Sequence, residues 1–246
     1  MLDFIFFIKE AESFIASILY PKKCVRCSRR GSYICAACMA TITFVDNQLC
    51  AVCQKGSVDG FTHPKCRTRH EIDGILFSVA YKGIIKKLIY QFKYQPYLSD
   101  LKGIIGRLLY EGIIQQEAFD SYLQSKRAVI IPVPLHSSRL KKRGYNQAEL
   151  LAKELSLKTG LLCSANVLLR HKPTKPQFEL KKEQRRDNIR GAFTVFKKNK
   201  KDIVGKWIIL VDDITTTGST LRECAKVLKK SGAEKVMGVT FAHEAN

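Results

Sequence analysis

The feature that most constrains this sequence is an apolar run that ends in two acids and a loop of small polar residues. Residues 207–211 read Trp-Ile-Ile-Leu-Val, which predicts a strand buried on both faces of a parallel sheet. The acids are Asp212 and Asp213, and the loop after them comprises Thr215, Thr216, Thr217, Gly218, Ser219 and Thr220. Backbone N–H groups, hydroxyls and the start of a helix make such a loop a phosphate cradle, and carboxylates accept hydrogen bonds from ribose hydroxyls. The segment therefore predicts a site for a ribose phosphate.

Strands and helices alternate through the second part of the chain. Strands are predicted over 75–81, 128–133, 192–196, 207–211 and 235–241, and helices over 84–92, 101–113, 147–159 and 220–231. This order predicts an α/β fold with a parallel sheet and helices on both faces, where ligands bind at the carboxyl ends of the strands. We expect an amphipathic helix over 1–21, a cysteine-rich module over 22–70 and the α/β domain over 71–246.

The cysteine-rich module has the spacing of two zinc ribbons. Paired Cys-x-x-Cys knuckles aim thiolates at one point, which favours Zn²⁺ over disulfides and indicates a reducing compartment, so we expect a cytoplasmic protein. The first predicted ligand set is Cys24, Cys27, Cys35 and Cys38, and the second is Cys50, Cys53, His63 and Cys66. Four protein ligands leave no position open to water, so we expect one or two structural zinc ions that supply folding energy. His63 as an ordinary loop residue, with the second site incomplete, stays an alternative.

The formal net charge of +20 indicates anionic partners, with a merely solvated basic surface as the alternative. The apolar positions at the N-terminus recur at helical spacing, but Asp3, Lys9, Glu10 and Glu12 interrupt any membrane-spanning run. We expect that helix to dock on the following domain; peripheral attachment to a membrane or a partner is the less favoured alternative.

The acid and threonine segment resembles the phosphoribosyl pyrophosphate (PRPP) motif of type I phosphoribosyltransferases. It has four apolar residues, Asp-Asp, an apolar residue and a Thr-rich loop ending in Thr-Gly-x-Thr, and it matches neither a Walker loop nor a Gly-x-Gly-x-x-Gly fingerprint. The resemblance implies that Asp212 and Asp213 hold the ribose 2′- and 3′-hydroxyls and that residues 215–220 hold the 5′-phosphate. It also implies Mg²⁺ on the pyrophosphate.

Three further stretches narrow the resemblance. They run from Tyr81 to Tyr94, from Pro132 to Gln147 and from Thr174 to Phe193. The first ends in Phe92-Lys93-Tyr94, the second in Arg143-Gly-Tyr-Asn-Gln147, and the third contains Arg185-Arg-Asp-Asn188. Together with the cysteine module they resemble the ComF family, which includes the GntX-like proteins, over about residues 24–243. The resemblance implies a role in natural transformation on internalised single-stranded DNA, with a helicase-like competence protein as partner. The sequence departs from the family at His63, in a usual cysteine position, and in its long N-terminal helix.

Five cations are candidates for contacts with pyrophosphate or nucleic acid. Arg139 and Arg143 follow the Pro-Val-Pro loop at 132–134, which by the resemblance faces the pyrophosphate, and Lys175, Arg185 and Arg186 lie in a basic stretch at 170–190. This stretch suits a flap over PRPP or a single-strand track, in which Phe178 stacks on a base. For the cations of both stretches, the alternative is an exposed, solvated charge. For Asn146 and Gln147, the alternative to a role at the site is capping of the helix at 147–159.

Three functions stay open at this point. The chain handles single-stranded DNA, transfers phosphoribose to an unidentified amine or base, or senses PRPP as a regulator. Departure of pyrophosphate from the anomeric carbon needs positioning and charge neutralisation, so no nucleophile or base in the sequence marks an active enzyme. Residues 72–97 are the region where we expect the acceptor of phosphoribose to bind, and they contain no pattern that identifies a particular base.

Overall fold

A computed structural model describes residues 21–94, 98–173 and 182–244. The predicted N-terminal helix lies outside these residues. The helices within them are α1 (Ala36–Met39), α2 (Ile84–Lys93), α3 (Leu101–Ile113), α4 (Glu117–Leu123), α5 (Ser137–Arg143), α6 (Gln147–Thr159), α7 (Lys182–Ile189) and α8 (Ser219–Lys230). The strands are β1 (Gly74–Ala80), β2 (Ala128–Pro132), β3 (Leu168–Arg170), β4 (Phe193–Val195), β5 (Trp207–Thr215) and β6 (Lys235–His243). Short 3₁₀ helices cover Val58–Gly60, Pro64–Cys66 and Lys197–Asp202.

The central sheet is parallel, in the order β1-β6-β5-β2. Successive side chains of β5 alternate between the two faces, which is why an unbroken apolar run forms its centre. Ile209 packs on the side that carries α3 and α6, whereas Ile208 and Leu210 pack on the side that carries α8. The α/β fold with helices on both faces is therefore confirmed.

The cysteine-rich module covers the outer edge of the sheet. Phe44 forms an antiparallel bridge to Val79, and Phe61 forms one to Gly74, so both ends of β1 are paired on their otherwise open side. The wholly buried Ala51 joins the core on the α8 side. Because the module shares backbone hydrogen bonds and core residues with the sheet, it packs as part of the same body.

Several elements differ from the sequence-based expectation. The strand predicted over 192–196 shortens to β4 and leaves the central sheet, because it pairs antiparallel with the unpredicted β3. Strand β5 continues past 211 to Thr215, because its pairing with β6 continues to His243. The short helices α4 and α5 were also not predicted.

Candidate functional site

The two acids lie at the carboxyl end of β5, where the sheet opens towards the loop. Asp213 is buried, and its carboxylate forms an ion pair with Lys93 at the end of α2. Nζ of Lys93 lies 2.8 Å from Oδ1 of Asp213. The backbone N–H of Asp213 donates to Oδ1 of Asp212 at 2.9 Å. Burial and the neighbouring Asp213 charge raise the pKa of Asp212 to about 7. The site therefore concentrates negative charge that Lys93 partly offsets.

The loop between β5 and α8 forms a cradle with its own internal hydrogen bonds. Gly218 has a φ of 70°, in the left-handed region that glycine adopts without strain, and its N–H donates to Oγ1 of Thr215 at 3.1 Å. The hydroxyls of Thr217 and Ser219 lie 2.9 Å apart, and α8 begins at Ser219. The hydroxyl of Thr216 is buried and has no hydrogen-bond partner among the described residues. A helix start beside an unmatched buried hydroxyl is suited to an anion.

The second cysteine knuckle supports this cradle from behind. The side-chain amide of Gln54 donates to the carbonyl of Ala51 at 3.1 Å and lies 3.5 Å from the carbonyl of Thr217. A Cβ at Gly218 would lie 2.9 Å from Cδ1 of Ile75 and 3.7 Å from the carbonyl of Ala51. A side chain at Gly218 would therefore crowd Ile75 of β1, whereas its contact with the module would be an ordinary van der Waals contact.

A second link joins the module to the helix after the loop. The guanidinium of Arg222 contacts both carboxylate oxygens of Glu71, at 2.9 and 2.6 Å, in the fork geometry that favours Arg–carboxylate pairs. Hydrogen bonding to Glu71 raises the pKa of Arg222. The segment that leaves the second ribbon is thereby fixed to the first turn of α8.

The Arg-Gly-Tyr-Asn-Gln stretch holds Lys93 in place. The carbonyl of Phe92 accepts hydrogen bonds from the Tyr145 hydroxyl at 2.9 Å and from the Gln147 side chain at 2.8 Å. Asn146 stands at the N-cap position of α6, but its side chain donates to the carbonyl of Val133 at 3.0 Å. The stretch thus ties the end of α2 to the end of β2, next to the acids.

The five cations that were predicted to contact pyrophosphate or nucleic acid do not lie together in the structure. Arg139 lies in α5, and burial together with the Arg139 charge lowers the pKa of Arg170, which also interacts with Asp212. The Arg170 guanidinium is therefore close enough to Asp212 for a charge interaction, and the Arg139 guanidinium interacts with Arg170. Arg143 instead donates to Oε1 of Gln147 at 2.6 Å and lies 5.8 Å from the ring centre of Tyr94. Of the other three candidates, Lys175 lies outside the described residues, and Arg185 and Arg186 belong to α7 with side chains that are not described.

Three residues at the site carried no role in the sequence-based reasoning. Lys93 lies in one of the stretches that resemble the ComF family, and Arg170 lies in the basic stretch at 170–190. Both could therefore have been proposed as site residues from the sequence. Gln54 carried no signal, because its contact with Thr217 joins residues 163 positions apart.

The first cysteine set converges as predicted. The thiol sulfurs of Cys24, Cys27, Cys35 and Cys38 all lie within 4.8 Å of one another. Sγ of Cys27 lies 3.6 Å from Sγ of Cys35, close to the separation of about 3.8 Å that tetrahedral Zn–S bonds require. This donor set fits a structural zinc ion.

The second set also converges, with His63 included. The ligand atoms of Cys50, Cys53, His63 and Cys66 lie within 4.8 Å of one another, and Nδ1 of His63 is 3.3 Å from Sγ of Cys53. The other ring nitrogen, Nε2, lies 3.0 Å from the carbonyl of Gly56. A backbone partner of this kind fixes the tautomer of a metal-binding histidine, so His63 is suited as the fourth ligand.

Comparison with protein families agrees with both parts of the chain. Residues 111–245 match the phosphoribosyl transferase domain, and residues 15–67 match the double zinc ribbon domain. The fold and the site thus define a phosphoribosyltransferase-type protein with structural zinc.

Comparison with individual proteins gives the narrower assignment. The chain is 31% identical to competence protein F of Haemophilus influenzae, over 83% of this chain and 94% of that protein. It is 29% identical to the DNA utilization protein YhgH of Escherichia coli strain K12 (82% and 87%) and 25% identical to competence protein ComFC of Bacillus subtilis (81% and 79%). The chain therefore belongs to the ComF family of phosphoribosyl transferase-domain proteins with a double zinc ribbon. In the part of the chain that the structure describes, no helix is both long enough and apolar enough to span a bilayer.

Proposed function

We propose that the site binds PRPP. Asp212 and Asp213 take the ribose 2′- and 3′-hydroxyls, and Thr215, Thr216, Thr217, Gly218, Ser219 and Thr220 take the 5′-phosphate. The observation that carries this proposal is the loop itself: left-handed Gly218 turns the chain, and the buried hydroxyl of Thr216 has no partner within the described residues. A phosphate oxygen would supply the missing partner.

Charge balance supports a ligand with two anionic ends. Lys93 offsets Asp213, so the acids can face sugar hydroxyls without repelling the phosphates as strongly. Arg170 interacts with both Asp212 and Arg139, and guanidinium groups are suited to a pyrophosphate. The carboxylates are oxygen donors of the kind Mg²⁺ prefers, and Mg²⁺ on the pyrophosphate would neutralise the leaving group.

The wider function we propose is the handling of internalised single-stranded DNA in natural transformation, inside the cell and with a helicase-like partner. The relatives named for competence and DNA utilization support it, as does the net charge of +20. A catalytic variant of the proposal is transfer of phosphoribose to an amine or base, in which Arg170, which interacts with Asp212, is suited to neutralise the departing pyrophosphate.

Thermal stabilisation by PRPP tests the binding site. A ligand at 100 times its Kd adds about 2.7 kcal/mol of stability. We expect wild type and the exposed control Asp46→Ala to gain this stabilisation, and Asp212→Ala/Asp213→Ala to lose it. Equal stabilisation of the double variant would place the ligand elsewhere.

Two further measurements separate the functions. Binding of single-stranded oligonucleotide should weaken steeply between low and physiological salt, and salt-independent binding would contradict the DNA role. Pyrophosphate release from PRPP, measured with and without nucleobases, amines and DNA, tests turnover. Release in the presence of one acceptor class would establish the transferase variant, and stabilisation without release would favour a regulatory role.

A further inference from the structure

Helix α2 carries an outward face on which two exposed lysines are followed by two exposed tyrosines. Its apolar residues point inward, as five of them, Ile84, Ile85, Leu88, Ile89 and Phe92, are buried. The opposite face shows Lys86, Lys87 and Tyr90, and Tyr94 follows directly after the helix. Tyr90 is 58% exposed and Tyr94 is 37% exposed. We call these four residues the α2 surface.

We propose that the α2 surface binds single-stranded nucleic acid, with bases stacked on Tyr90 and Tyr94 and phosphates on Lys86 and Lys87. This inference rests on the proposed DNA-handling function and gives that function a location. Single-strand sites combine cations that follow the backbone with aromatic faces that stack on bases, and the α2 surface contains both.

The two tyrosines are arranged as neighbouring platforms. Their ring centres lie 5.1 Å apart with an interplanar angle of 38°. They stand one helical turn apart, so successive bases of a splayed strand could meet successive rings. The guanidinium of Arg143 lies 5.8 Å from the ring centre of Tyr94 and adds a cation at the far end.

The concave side of the α2 surface continues onto the first zinc ribbon. A concavity of about 340 Å³ is lined by Val25 of the ribbon and by Tyr81, Lys86, Lys87, Tyr90 and Gln91. The ammonium of Lys87 contacts the carbonyl of Arg26 at 3.4 Å, and the ammonium of Lys86 lies 5.4 Å from the ring centre of Tyr81. The exposed cations of the ribbon, Lys22, Lys23, Arg26, Arg29 and Arg30, extend the positive charge. These cations offer further contacts to phosphates of a strand that is bound on the α2 surface.

The same surface leads to the acid pair. Tyr94 follows Lys93, whose ammonium pairs with Asp213. A strand stacked on Tyr90 and Tyr94 would therefore pass beside the PRPP site.

A protein partner is the rival occupant, and the chemistry of the surface disfavours it. Lysine is depleted at protein–protein interfaces, whereas two of the four residues of the α2 surface are lysines. An acidic protein segment would use the lysines but would gain little from the two exposed tyrosine rings.

The test compares a normal oligonucleotide with an abasic one of equal length, because the abasic strand keeps the phosphates and lacks the bases. We expect Tyr90→Ala and Tyr94→Ala each to weaken binding of the normal strand roughly 5- to 100-fold and to leave abasic binding unchanged. Phe196→Ala, at a residue that is 41% exposed and lies outside the α2 surface, is the aromatic control and should change neither. Lys86→Gln/Lys87→Gln should weaken both strands and lower the salt slope by about 1.4. Lys158→Gln/Lys226→Gln is its charge-matched control.

The outcomes separate the surface from the wider proposal. Failure of wild type to bind either strand at physiological salt overturns DNA handling and the surface with it. Normal binding by the tyrosine variants, or equal losses in variants and controls, overturns the α2 surface alone. Equal loss of normal and abasic binding in the tyrosine variants also overturns it, because it shows a polyanion site without base stacking. Melting temperature and PRPP stabilisation of Tyr90→Ala verify that the variant is folded.

Discussion

Replacing Gly218 by alanine tests whether the phosphate loop is packed as tightly as the structure shows. Gly218 and Gly160 have nearly the same left-handed conformation, with φ values of 70° and 72°. Alanine in that conformation costs about 1–2 kcal/mol at either position. A Cβ at Gly160 would meet nothing within 4 Å, whereas at Gly218 it would lie 2.9 Å from Cδ1 of the wholly buried Ile75. Gly160→Ala is therefore a control that carries the backbone strain without the clash.

The clash should add about 1–3 kcal/mol, because a packed core moves little to admit an extra methyl. At roughly 2–4 °C per kcal/mol for a chain of this size, Gly160→Ala should lower the melting temperature by about 2–8 °C, and Gly218→Ala by about 4–20 °C. Gly218→Ala should also lose most of its stabilisation by PRPP, and Gly160→Ala should keep it. Scanning fluorimetry with and without PRPP measures both. Equal melting temperatures for the two variants, with PRPP stabilisation intact, would refute the packing argument.

Three other predictions concern the acids and the zinc ribbons. The raised pKa of Asp212 means that the folded state keeps a proton which the unfolded chain has released, so stability without ligand should fall as pH rises from about 4 to about 7. Asp212→Asn should flatten this fall in urea titrations, and an unchanged profile would contradict the assignment. Lys93→Met should weaken PRPP binding by about 1.5–3 kcal/mol in titration calorimetry, since it removes the charged partner of Asp213, and unaltered affinity would exclude that role. Both Cys50→Ser and Cys24→Ser should lower stability, but only Cys50→Ser should also reduce PRPP binding, because the second ribbon backs the loop; equal effects on binding would show that the support is not local.

The sequence was sufficient to predict the motifs whose residues lie close together in the chain. The apolar run of β5 with its two acids, and the four knuckles of cysteine and histidine, depend on residues close together in the chain, and the structure places all of them as expected for such patterns. His63 was the least certain ligand, and the neighbouring Gly56 carbonyl now accounts for its orientation.

Features that depend on contacts between residues far apart in the chain could not be predicted from the sequence pattern. The segment around Phe193 has the apolar character of a strand, but only its pairing with Leu168–Arg170 decides that it lies outside the central sheet. The pairing of Lys93 with Asp213 likewise depends on how α2 meets β5, which periodicity does not encode. The short helix Ser137–Arg143 follows a proline-rich loop and is too short to show an amphipathic period.

The Arg-Gly-Tyr-Asn-Gln stretch shows how a motif can act through its neighbours. Read as sequence, its arginine is a candidate for direct contact with phosphate. In the structure, Tyr145 and Gln147 instead hold the carbonyl of Phe92, and Arg143 lies against Tyr94. The stretch therefore positions Lys93, and its arginine faces the α2 surface.

A crystal structure of the protein grown with PRPP and Mg²⁺ tests the proposed binding site most directly. We expect ribose hydroxyls within hydrogen-bond distance of Asp212 and Asp213, a 5′-phosphate in the loop from Thr215 to Thr220, and a hydrogen bond between the Thr216 hydroxyl and that phosphate. A phosphate bound elsewhere, or a ribose turned away from both acids, would contradict it.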